Sequence, residues 1–132
     1  PAVKTVILDA YKAQAAALKE LQSESGLWHT ILDDPESYEE VSGSAAIIAG
    51  ILKGIRMGIL DDSYRECAER GLRGILDNIT EDGTVLNVSA GTGIGMNAEH
   101  YKNIMILPMA YGQSLTIMAL AEALLYESKS IA

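Results

Sequence analysis

Apolar residues at Val3, Ile7, Ala10, Tyr11, Ala17, Leu18 and Leu21 recur at helical spacing, with Lys4, Lys12, Lys19 and Glu20 largely outside the stripe. This predicts an outer helix from about Val3 to Ser23, one face buried and one wet, ending near Gly26. The period then changes: Leu27, His29 and Ile31 alternate with Trp28, Thr30 and Leu32, an extended pattern closed by the turn Asp34-Pro35-Glu36-Ser37. From about Val41 to Gly58 it changes again. The run Ser42–Ile55 carries a single charge in fourteen residues, as expected of an inner helix buried on several sides, with glycines and alanines that let backbones approach closely.

The same order follows a second time. Asp61-Asp62-Ser63 makes an acidic helix start. A second outer helix is expected from about Ser63 to Ile79, with Tyr64, Cys67, Ala68, Leu72, Ile75, Leu76 and Ile79 inward and Arg65, Glu66, Glu69, Arg70 and Arg73 mostly outward. Thr80–Gly83 turns, Thr84–Val88 extends, and Ser89–Asn97 forms a glycine-rich loop. Ala98–Met109 reads as loop with short extended or helical pieces, and Tyr111–Glu127 as a second inner helix. Outer helix, rim, inner helix thus occur twice, which makes the chain an all-α arrangement of helical hairpins with short extended rim segments. Inner helices that are apolar nearly all round need neighbours on both sides. Units of this kind close a core by stacking in numbers, so a larger toroid or association with other chains is expected.

Composition narrows the functional classes. At 132 residues and 48% hydrophobic content, the chain is sized for one ordered domain. A net charge of −8 without any basic stripe excludes a nucleic-acid partner. No apolar stretch approaches the roughly 20 residues of a membrane span, so no membrane partner is expected. The lone Cys67 forms no internal disulfide and reads as a buried, inert thiol. The opening Pro1-Ala2-Val3-Lys4 reads as a processed or truncated start, or one whose initiator methionine was removed.

Candidate chemistry gathers at the rim. Gly91-Thr92-Gly93 gives GxG, but Met96 stands where a dinucleotide motif needs its third glycine, and no Gly-Lys-Ser/Thr occurs. The alternatives are a loop whose backbone approaches a ligand, with Ser89 and Thr92 offering hydroxyls, or a merely tight turn. Trp28 and His29 suit sugar binding, one by stacking and one by hydrogen bonding. Adjacent residues of an extended segment face opposite ways, however, so Trp28 packing inward and His29 bonding locally stands as the alternative. His100 beside Glu99 could be a ligand or an acid/base, yet two distant histidines make no metal motif, and no metal is expected. Asp33, Asp34, Glu39 and Glu40 form an acidic turn, which reads either as paired glycosidase carboxylates or as solvated helix caps. Met105, Met109 and Met118 read as packing residues.

Taken in order, several segments resemble the C-terminal part of the unsaturated rhamnogalacturonyl hydrolases. These are Ser25-Gly26-Leu27-Trp28-His29, Ser37–Ala45, Lys53–Gly58, Asp82-Gly83, Gly91-Thr92, Glu99-His100-Tyr101 and Pro108–Gln113. That family is glycoside hydrolase family 105, related to the unsaturated glucuronyl hydrolases of family 88. The resemblance implies that residues 1–132 are the C-terminal portion of a single α/α-toroid domain, about two of its six hairpins. It also implies removal of a 4,5-unsaturated uronic acid from the non-reducing end of lyase-generated oligosaccharides. A carboxyl group protonates the double bond and helps hydrate it, and the hemiketal rearranges to release the sugar. In the family that aspartate lies in a Trp-x-Asp-Gly-Leu-type motif of an earlier hairpin, and Ser25 stands at the corresponding place here. No catalytic residue is therefore expected in this chain, which alone should be inactive. The implied substrate-binding residues are Trp28, His29, Ser89, Gly91 and Thr92, with Tyr111 where related members suggest histidine. No metal or organic cofactor is implied, and a cytoplasmic location is. The competing readings are a non-catalytic hairpin module that binds carbohydrate or protein, and a polysaccharide lyase on the same fold.

Overall fold

A computed structural model describes residues 2–130, so Pro1 of the opening segment lies outside the described residues. Helix α1 spans Ala2–Glu20, α2 Val41–Arg56, α3 Arg65–Leu76, α4 Ala98–Lys102 and α5 Ala110–Ser130. A 3-10 turn, Asp62–Tyr64, leads into α3, and the Asp61 carboxylate accepts from the Ser63 amide at 2.9 Å. The acidic helix start is thus a cap of the expected kind. Two long inner helices, α2 and α5, pack on each other, and α3 lies across α2.

The core is built on α2. Val41, Ala45, Ile48 and Leu52 are fully enclosed, meeting Ile75 and Cys67 of α3, Val85 and Val88 of the second rim, and Ala119 of α5. Cys67 is a free, buried thiol, and burial pushes its pKa up. Close approach depends on glycine. Gly26 sits at φ +90°, and a Cβ there would stand 2.2 Å from the Arg70 carbonyl oxygen, so any side chain would push the first rim off α3.

The rims are short extended segments, as expected, and two other expectations are corrected. The rim segments 27–32 and 84–88 form no strand among the described residues. Each makes one antiparallel bridge, His29 to Glu39 and Ile79 to Val85. Their partners are the flanks of tight turns, too short for a ladder. The apolar stripe of α1 is not buried along its length: Val3 is 72% and Ile7 61% exposed, and Ala15 alone is fully buried. The helix is tied to α2 near its middle, where the Tyr11 hydroxyl donates to the Gly50 carbonyl at 2.8 Å. On α3, Leu76 points outward, because Gly71 and Gly74 occupy the inner face and admit Ile48 and Leu27 into the space a side chain would fill.

The inner helices are covered on one side and open on the other. Gly43, Ala46 and Lys53 of α2 are exposed, as are Ile117, Met118, Leu124 and Leu125 of α5. Among the described residues, no helix is long and apolar enough to cross a membrane.

Candidate functional site

The N-terminal ends of α2 and α5 open onto a cleft of about 510 Å³, walled by the first rim and by the glycine-rich loop. Trp28, His29, Ser89, Gly91 and Thr92, the five residues singled out from the sequence, all line it. Glu40, Ser42 and Tyr111 line it as well.

Local bonding explains why these residues meet. Asn87, in the left-handed region at φ 55°, turns its carbonyl to accept from the Val41 amide at 2.9 Å, which joins the second rim to the start of α2. On the other edge, Ala90 N–H donates to Met105 O at 2.8 Å and Leu107 N–H to Val88 O at 3.0 Å, so Ser89 is held between them. The Glu40 carboxylate then ties the pieces together. It caps α2 by accepting from Gly43 N–H at 2.6 Å and Ser42 Oγ at 2.7 Å, and it accepts from Ser89 N–H at 3.0 Å. Of the acidic turn, Glu40 is thus a helix cap whose carboxylate also reaches across the cleft.

Tyr111 closes the far wall. Its hydroxyl donates to the Ser89 carbonyl and accepts from Gly91 N–H at 2.7 Å, which pins the loop at the point where Gly91 takes φ +92°. Tyr38 and Ser89 join hydroxyl to hydroxyl at 2.8 Å. Neither tyrosine's role was visible in the sequence, since each bond links residues far apart in the chain. The acidic pattern at Glu39-Glu40 before an apolar run was the one signal for the Glu40 cap.

The first rim behaves differently. Trp28 is 2% exposed, and its indole N–H donates to the Leu18 carbonyl at 2.7 Å. The ring therefore packs among the helices as the back of the wall, with no open face for stacking. His29 Nδ1 lies 2.5 Å from the Ser37 carbonyl oxygen, which can only accept, so Nδ1 is the donor of this contact. Thr92 is exposed at the cleft mouth.

The other candidates lie outside this cleft. Ser25 Oγ donates to Glu39 at 2.7 Å and accepts from Leu27 N–H at 3.1 Å, a local rim contact. His100 is exposed on α4, edge-on to Tyr101 at 5.2 Å. Glu99 accepts from the Asn103 side chain at 2.7 Å. Asp34 pairs with Lys102 at 2.7 Å, and that ammonium, with the Glu36 amide, holds its carboxyl below the usual range. No group of three or more His, Cys, Asp or Glu side chains able to hold a metal occurs among the described residues.

YesR of Bacillus subtilis (strain 168), an unsaturated rhamnogalacturonyl hydrolase, is 42% identical over 120 residues, 90% of this chain and 33% of that protein. An unsaturated 3S-rhamnoglycuronyl hydrolase of Alteromonas sp. (strain LOR) is 31% identical over 122 residues, 90% of this chain and 28% of that protein. The crystal structure of a possible GH105 member from Salmonella enterica serovar Paratyphi A is similar at a TM-score of 0.91 and 42% identity. That match covers 94% of this chain and 33% of the other. A polysaccharide lyase, BACCELL_00875, shares the fold at a TM-score of 0.79 but only 20% identity. The chain spans a third or less of the length of the curated relatives it matches. The relatives are enzymes of one chemical class, and the solved neighbours are α/α-toroid proteins. Since residues 2–126 match the family described as Glycosyl Hydrolase Family 88, the chain belongs to that family.

Proposed function

We propose that the whole protein removes a 4,5-unsaturated uronic acid from the non-reducing end of lyase-generated oligosaccharides, and that residues 1–132 are the C-terminal portion of its single toroid domain. The observation that supports this reading best is convergence: residues of the first rim, the glycine-rich loop and the starts of α2 and α5, distant in sequence, line a single cleft. Ser89 and Thr92 bring hydroxyls, Gly91 brings close backbone approach, and His29 brings an imidazole. Such groups suit the hydroxyls and carboxylate of a sugar acid. The acid that protonates the double bond belongs to an earlier hairpin on this reading, so this chain alone is inactive.

The exposed apolar residues of α1 and α5 support the same reading, because further hairpins or a second chain would cover them. The cytoplasm, where imported oligosaccharides are degraded, is the compartment this chemistry suits. The test is ultraviolet absorbance of an unsaturated rhamnogalacturonan disaccharide incubated with the whole protein. Hydration of the double bond removes the absorbance, and its loss is the expected result. Absorbance generated from intact polysaccharide would point to a lyase, and no change on any unsaturated disaccharide would reject the proposal.

A further inference from the structure

We infer that Tyr111 is the sugar-stacking residue of this cleft, its ring offered to the substrate and its hydroxyl fixing that ring to the loop it faces. This rests on the proposed function for the identity of the sugar, though not for the stacking itself. A carbohydrate cleft needs a flat apolar surface for the C–H face of a pyranose ring, beside polar groups for its hydroxyls. Trp28 carries the chain's largest such surface but is 2% exposed, with its N–H spent on α1. Tyr111 lines the same cleft, leaves 38% of its surface open, and stands beside Ser89, Gly91 and Thr92.

Its hydroxyl has both hydrogen-bonding capacities in use within the loop: it donates to Ser89 O and accepts from Gly91 N–H. The ring is held at its far end, so little freedom is lost when a sugar settles on it. The base of the side chain is fixed too. Gly112, the next residue, packs so tightly on Val88 that a Cβ there would lie 2.5 Å from a Val88 methyl. Stacking surface and polar loop thus form one rigid wall.

The test uses the whole protein, the unsaturated rhamnogalacturonan disaccharide as probe, and Tyr111→Phe and Tyr111→Leu. Phe keeps the ring and loses the clamp; Leu loses both. Expected is a rise in KM of about twofold for Phe and about tenfold for Leu, with kcat within about twofold of wild type for each. Equal effects of Phe and Leu, or a fall in kcat with unchanged KM, would overturn the assignment, since a residue that only braces the loop treats both replacements alike. Calorimetric binding of the same disaccharide separates this inference from the reaction. Binding by wild type that is weakened by Leu, without turnover, upholds the stacking role and rejects the proposed activity. Turnover or binding that Tyr111→Leu leaves unchanged rejects the stacking role alone, and a wild type that neither binds nor turns over the disaccharide rejects both.

Discussion

Helices α1 and α2 are both long, both rich in alanine and aliphatic residues, and both readable from their periodicity, yet they end in opposite situations. Nine residues of α2 are buried, and one of α1 is. Both have adequate helix propensity, so the difference is one of partners: α2 lies between α5, α3 and the rims, whereas Val3, Val6 and Ile7 in the first half of α1 stay largely exposed. Periodicity shows which face of a helix is apolar; it does not show what covers that face. The cleft belongs to the well-partnered end. Its walls are held by hydrogen bonds that start from the first residues of α2.

Substitutions along this gradient should break or sharpen the contrast. The largest effect is expected at the junction of the two helices, where Trp28→Ala removes an enclosed indole and leaves the Leu18 carbonyl without its donor. A loss of about 3–5 kcal/mol in denaturant unfolding of the whole protein is expected. A paired comparison follows: Ile48→Ala on α2 should cost about 2–5 kcal/mol, whereas Ile7→Ala on α1 in the isolated chain should stay within about 0.5 kcal/mol. In the whole protein Ile7→Ala should cost more than in the isolated chain, because further hairpins would cover it. Equal and small costs in both would show that α1 stays open.

Glu40→Ala is the intermediate case. It removes the cap of α2 and leaves the Ser89 amide without its acceptor, for about 1–2 kcal/mol by denaturant unfolding, with a raised KM because the loop loses its tie. The smallest effect concerns the surface pair of Asp34 and Lys102. Lys102 holds the Asp34 value below that of an unfolded aspartate, so the pair's contribution is complete above the usual aspartate range. It is lost as pH falls through the lowered value. A carboxyl NMR titration should show Asp34 titrating below an ordinary aspartate, and Lys102→Met should return it most of the way.

Much of the fold was legible because helical periodicity is a local signal. The inner helices, the acidic start before α3 and the glycine-rich loop stand where the spacing placed them. The extended segment at 27–32 was legible from its alternation, and because the facing segment is the flank of a turn it makes one bridge. The cleft was legible through family resemblance at Ser89, Gly91 and Thr92. What escaped was long-range bonding: the Glu40 carboxylate reaching Ser89, and Tyr111 clasping the loop, join residues that no local pattern relates. Trp28 shows the converse. Its chemistry suggested a sugar platform, and its place between the helices makes it core.

The placement of the substrate can be tested directly by hydrogen–deuterium exchange of the whole protein with and without the unsaturated disaccharide. Slower exchange is expected at 28–30, 42–44 and 89–92, with the exposed first half of α1 unaffected. Unchanged exchange in all three segments while the sugar is being turned over would contradict the assignment of this cleft.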